Sequence, residues 1–171
     1  MKVCDRNSCH AGGAWCNVAS VEPWMTDTVG SILRHKGHDV WSVHPAESVF
    51  QAISLMADKG IGALVVISDG RLVGIISERD YARKVVLQGK SSKETKVRDI
   101  MTGTVVSVGP DHTVDDCMRI VTTKRIRHLP VVQGEKVIGV VSIGDLVRTV
   151  ISTQGETIQY LQEYIVGRSS E

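Results

Sequence analysis

Sliding the 171-residue sequence against itself gives one dominant register, in which Val43 falls on Val108, an offset of 65 residues. The register holds without a gap to Arg83 on Arg148. Identities along it include Pro45/Pro110, Val49/Val114, Lys59/Lys124, Leu64/Leu129, Gly74/Gly139, Ser77/Ser142 and Asp80/Asp145, and many other pairs are apolar for apolar. Two copies, each long enough for several elements, predict a pseudo-twofold pair packed on itself, since solenoids generally need three or more units.

Each copy carries the same order of signals. A short apolar strand (Val40 to Val43; Val105 to Val108) reaches a proline that suits a helix start. Apolar residues at helical spacing follow: Val49, Ala52, Ile53 and Met56, or Val114, Cys117, Met118 and Val121. Continuous apolar runs, Ala63 to Ile67 and Leu129 to Val132, then read as strands buried on both faces. Turn residues Asp69-Gly70 or Gln133-Gly134 lead to a third strand, Leu72 to Ile76 or Val137 to Val141, and a second helix begins at Ser77 or Ser142. The expected fold is mixed α/β (α+β), with two β-α-β-β-α units packed sheet to sheet. Thr28 to Leu33 and Lys96 to Met101 predict short helices introducing each copy, and Gly89 to Lys96 a linker. The expected boundaries are a flexible leader over 1–24, a first unit over 25–90, linker and second unit over 91–155, and a C-terminal helix (Glu156 to Ile165) and tail over 156–171.

Composition narrows the function classes. With 20 Lys+Arg against 19 Asp+Glu, the net charge of +1 argues against a chain built mainly to bind nucleic-acid phosphate. Aromatics are 4%, too few for a base-stacking platform. No apolar run reaches the ~18 residues of a membrane span, and the N-terminus lacks a secretory h-region, so an intracellular, cytoplasmic protein is expected. Cys117 lies on an apolar helical stripe and reads as core. Cys4, Cys9, His10 and Cys16 form a possible metal or redox set, but their spacing lacks the paired C-x2-C of common zinc modules, and a leader without metal is preferred. His35 and His38 read as solvated. Gly60-Ile-Gly62-Ala-Leu-Val65 resembles a dinucleotide fingerprint only superficially, because it follows a helix and enters a strand. There is no phosphate-binding P-loop, no serine nucleophile elbow and no base placed around the repeated Ser/Asp pairs. A binding module fits better than an enzyme.

The repeated motif, Gly74-Ile-Ile-Ser77-Glu-Arg-Asp80 and Gly139-Val-Val-Ser142-Ile-Gly-Asp145, has a plain structural use. Serine at the N-cap with an acid at N3 approximates a capping box. It also sets a hydroxyl and a helix N-terminus where a phosphate could be received. The doubled unit, together with Lys124-Arg-Ile-Arg-His-Leu-Pro-Val-Val132, resembles a tandem pair of CBS domains (cystathionine β-synthase domains), the Bateman module, over Met25 to Gly167.

That resemblance implies a regulatory module binding an adenosine-containing ligand: AMP, ADP, ATP, NAD(H) or S-adenosylmethionine. It implies two sites. The first would use Ile75, Ile76, Ser77, Arg79 and Asp80, with adenine near Val106 and phosphate at Arg127 and His128. The second would use Val140, Val141, Ser142, Gly144 and Asp145, with adenine near Trp41. Gly62 and Ala63 would stand there in place of Arg127 and His128, so the sites should be unequal. The aspartates would take the ribose cis-diol. A homodimer, an unidentified regulated protein, and neither membrane nor nucleic acid as partner complete the expectation.

Overall fold

The computed structural model of the protein describes residues 27–152 and 155. The expected leader, with Cys4, Cys9, His10 and Cys16, and the helix over 156–165 lie outside them. Along the chain run α1 (Val29–Lys36), β1 (Ser42–Val43), α2 (Val49–Lys59), β2 (Ala63–Ser68), β3 (Arg71–Ser77), α3 (Glu78–Lys84), α4 (Val97–Ile100), α5 (Val114–Lys124), β4 (His128–Gln133) and β5 (Lys136–Ser142). A last helix, α6, occupies 143–152.

The two copies repeat each other in detail. In each, an antiparallel hairpin carries the same irregularity, a register shift between Val66 and Ile67 and between Val131 and Val132. The continuous apolar runs are buried as expected, with Leu64, Val65 and Val66, and Leu129 and Val131, at 0–1% exposure. The hairpin turns differ. Asp69 and Gly70 are both left-handed (φ 50° and 76°), as a type I′ turn requires, whereas in the second copy Gly134 alone has positive φ, at 62°. The second copy was expected to have three strands, and this is corrected: β1 pairs in parallel with β2, but its counterpart is reduced to one bridge, Val108 to Val131. The pairing lost is that of Ser107, the register partner of Ser42; in the first copy too the strand is shorter than the expected Val40 to Val43, while Val105 and Val106 line a cavity.

Helices α2 and α5 begin with capping boxes, Ser48 with Gln51 and Thr113 with Asp116. Both end in a left-handed residue. In α2 this is Gly60 (φ 63°), and in α5 it is Arg125 (φ 54°), a conformation that costs a side-chain-bearing residue ~1–2 kcal/mol.

Each introductory helix packs into the core of the other copy. Val29, Ile32 and Leu33 of α1 join Val114, Cys117, Val121, Leu129 and Val141, while Val97 and Ile100 of α4 join Val49, Ala52, Met56, Leu64 and Ile76. Matching backbone bonds hold the exchange. Val29 N donates to His112 O (2.9 Å) and Gly30 N to Pro110 O (2.8 Å); in the other half Val97 N donates to Glu47 O (2.9 Å) and Arg98 N to Pro45 O (3.0 Å). The start of each long helix is bonded in return, Val114 N to Asp27 O and Val49 N to Thr95 O, both 2.9 Å, which satisfies donors that a helix leaves open at its first turn.

The glycines of the repeated motif make this packing possible. A Cβ on Gly139 would lie 2.5 Å from Leu33 Cδ2, and one on Gly74 would lie 2.6 Å from Met101 Sδ. Leu33 is 1% exposed and has no room to retreat. Gly139→Ala is therefore expected to destabilise the fold by about 1–3 kcal/mol through overpacking, and Leu33→Ala by about 2–5 kcal/mol through a cavity. In urea unfolding the double variant should lose clearly less than the sum, because the truncated side chain makes room for the new methyl. Strict additivity would contradict the contact.

Candidate functional site

The motif strands β3 and β5 turn directly into α3 and α6, so Ser77 and Ser142 become helix N-caps. Ser77 Oγ donates to Asp80 Oδ2 at 2.6 Å and Ser77 N to the same oxygen at 3.1 Å; Asp80 N donates back to Ser77 Oγ at 3.3 Å. The second copy matches, with Ser142 Oγ and Ser142 N donating to Asp145 Oδ2 at 2.7 and 2.8 Å. The capping use of the motif is thus real in both halves.

A cleft between the copies, about 500 Å³, opens beside the first cap. Ile75, Ser77, Arg79, Asp80, Val106, Arg127 and His128 of the expected first site all line it. Ile76 is corrected: strand alternation sends its side chain into the core, where it is fully buried, while Ile75 faces the cleft.

The second set is not brought together. Gly62, Ser142 and Gly144 line this same first cleft. Val141 (1% exposed) is in the second core for the same alternation reason as Ile76, and Ala63 (8% exposed) is buried. Trp41 lines neither this cleft nor the groove described next, and Lys59 Nζ sits 4.0 Å above its ring. Asp145 borders the separate groove, about 620 Å³, between α1 and α6. There Lys36 Nζ donates to Asp145 Oδ2 at 2.6 Å and to Val140 O at 3.1 Å.

Sequence reasoning left out Glu78, Thr102, Thr104, Val105 and Arg125, which also line the first cleft. The signal for Arg125 was present: in the register it stands on Gly60, so an arginine holds a left-handed position that its twin gives to glycine. Its carbonyl accepts Arg79 Nη1 at 3.3 Å. Among the described residues Lys36, Arg71, Lys84, Arg98 and Arg119 are ion-paired with carboxylates, and Arg79, Arg125 and Arg127 are among the cations that are not.

Electrostatics agree with the geometry. Burial is the main force holding His128 below the ordinary imidazole value, with the charges of Arg127, Lys36 and Arg79 adding to it and Asp145 opposing. Burial would raise Asp145, but the bonds from Lys36 and Ser142 outweigh it and hold the carboxyl below the usual range. The buried Cys117 thiol, pushed up to about 11 chiefly by burial, behaves as core. Among the described residues no group of His, Cys, Asp and Glu is placed to hold a metal ion.

The sequence model of the CBS domain matches residues 29–87 and 97–152. The chain belongs to the CBS-domain family. It is 41% identical over 150 residues to the mitochondrial CBS domain-containing protein CBSX3 of Arabidopsis thaliana, covering 82% of this chain and 72% of that one. Among solved structures, a protein with CBS domains from Burkholderia ambifaria MC40-6 is 50% identical with a TM-score of 0.72, over 74% of this chain and 95% of that one. The CBS pair of protein MJ0100, solved with 5′-methylthioadenosine and S-adenosyl-L-methionine, is 28% identical with a TM-score of 0.65, over 72% and 94%. Because the Arabidopsis relative is mitochondrial, a cytoplasmic location does not follow from the fold. Among the described residues no helix is long and apolar enough to cross a membrane.

With its pKa depressed, His128 binds fewer protons in the folded than in the unfolded state, so its contribution to stability falls as pH drops through about 6.5. An NMR titration of its imidazole should give a midpoint below that of an ordinary histidine, and Arg127→Ala should move the midpoint upward. A midpoint at or above the ordinary value would contradict the buried, cationic environment.

Proposed function

We propose that this CBS pair is a non-catalytic regulatory module that binds a phosphorylated adenosine ligand in the cleft between its two units and passes occupancy to a partner protein. The observation that carries the reading is the convergence of Arg79, Arg125 and Arg127, none with a carboxylate partner among the described residues, on the cleft that also holds Asp80. Unpaired guanidiniums collected in one concave site favour an anion that can accept forked hydrogen bonds, and phosphate is the natural match. Within this reading Asp80 takes the ribose hydroxyls, adenine lies along Val105 and Val106, and the phosphates meet the arginines and His128. Lys84 Nζ, 2.8 Å from Asp80 Oδ1, shares the carboxylate with the ribose or swings aside.

The bound S-adenosyl-L-methionine and 5′-methylthioadenosine of the MJ0100 pair support an adenosine-binding role. The cationic lining here favours AMP, ADP, ATP or NAD(H) over a sulfonium-bearing ligand. The serine hydroxyls are committed to capping, which supports a receptor over a catalyst. We further propose that the module works as a homodimer in the cytoplasm.

Saturation at a hundred times the dissociation constant should raise stability by about 2.7 kcal/mol. By calorimetry, Asp80→Ala should weaken AMP, ADP or ATP, whichever binds wild type most tightly, by roughly ten- to hundredfold, the scale of a lost charged hydrogen bond. Arg127→Ala should weaken that nucleotide by a similar factor while leaving adenosine nearly unchanged. Equal losses for the nucleotide and adenosine would remove Arg127 from phosphate recognition.

A bound phosphate favours the protonated form of His128, so its pKa is higher in the complex than in the free protein. The affinity gained from it is fully present below the free protein's pKa and is lost as pH rises from there through the complex's pKa. Between pH 8 and 6, wild type should therefore gain more nucleotide affinity than His128→Gln, a comparison that cancels titration of the phosphate itself. Identical pH profiles would exclude His128 from the phosphate site.

A further inference from the structure

The second motif aspartate is already bonded from within the chain. Lys36, the last residue of α1, spans Asp145 Oδ2 (2.6 Å) and the carbonyl of Val140 (3.1 Å) with one ammonium. Asp145 is the more buried partner, its side chain 15% exposed against 43% for Lys36.

The repeat makes the significance of this contact visible. Helices α1 and α4 start at equivalent residues, Val29 and Val97, and dock on opposite copies through equivalent backbone bonds. Helix α4 stops after 4 residues, and the chain beyond it (Thr102, Thr104, Val105 and Val106) forms a wall of the open cleft. Helix α1 continues for 8 residues, and Lys36 stands in the place that Thr104 holds in the other half. A further helical turn and an ammonium thus stand beside Asp145, and the groove left there lies between α1 and α6. Asp80 also carries a lysine that bridges to a carbonyl, for Lys84 Nζ lies 2.8 Å from Asp80 Oδ1 and donates to Ile100 O, but Lys84 comes from one turn along the same helix, and Asp80 still lines the first cleft. Asp145 does not line that cleft; it borders the groove beside α1 together with Lys36.

We propose that Lys36 is a built-in cationic occupant of the second adenosine site, so that each chain holds one adenosine ligand and the second site opens only when Lys36 releases Asp145. What separates the two lysines is where they come from: Lys84 lies along the helix that carries Asp80 and leaves the cleft beside it open, whereas Lys36 ends a separate helix, α1, and also holds the Val140 carbonyl of the strand that leads to Asp145. The release would have to move the end of α1. This inference rests on the reading of the first cleft given above.

Calorimetry on the full chain with AMP as the probe tests it. Wild type should saturate at one AMP per chain, and Lys36→Met at two. The added event should vanish in Lys36→Met/Asp145→Asn, and Lys36→Arg, which keeps the cation, should stay at one. Two AMP per chain in wild type would overturn the proposal, as would a single event in Lys36→Met. In either case, an event that Asp80→Asn removes leaves the first-cleft reading standing. If neither wild type nor Lys36→Met binds AMP, that reading fails and this inference falls with it.

Discussion

The exchange of the two introductory helices is the constraint on which the rest depends. Leu33 over Gly139 and Met101 over Gly74 seat each helix against a strand of the opposite copy, and paired backbone bonds lock both seats. Neither copy completes its core alone: one lacks Val97 and Ile100 without α4, the other Val29, Ile32 and Leu33 without α1. The cleft between the copies is therefore bounded by elements that the same backbone bonds and core contacts hold together. The glycine of the motif serves helix seating, and the serine and aspartate serve capping. A ligand at Asp80 meets a carboxylate that its helix cap has already oriented.

Duplication made two such places and the introductory helices made them unequal. Where α4 ends early, the following residues become a cleft wall; where α1 runs on, Lys36 reaches Asp145. The charged lining is just as uneven. Arg125 and Arg127 come from the second copy into the first cleft, and their register partners are Gly60 and Gly62. Holding Arg125 in a left-handed conformation costs free energy that a glycine would spare, a pattern common where local strain serves a site.

Much of this was legible in the sequence. The offset of 65 residues placed both hairpins, both long helices and both motif caps, because apolar periodicity and turn residues act locally. Seven of the residues expected for the first site line one cleft, since they cluster at the ends of elements that the repeat located. What was missed depends on tertiary packing. Which copy an introductory helix docks on cannot be read from its own residues, and the Lys36–Asp145 contact joins positions 109 apart in the chain. Ile76 and Val141 were placed in the sites because strand membership was clear while the face of the strand was not. Trp41 followed from the register alone, and what breaks the symmetry there is α1, which runs on to Lys36 where a helix ending at Leu33 was expected, while α4 ends at Ile100, close to the expected Met101.

The central claim, that a phosphorylated adenosine ligand occupies the cleft beside Asp80 and not its twin beside Asp145, is tested most directly by hydrogen–deuterium exchange of the full chain with and without saturating AMP. The account predicts slowed exchange concentrated at residues 77–80, 102–106 and 125–128, three of the segments that wall the cleft, with 36–41 unchanged. Protection at 36–41 instead, or no protection at any of the three cleft segments, would contradict it.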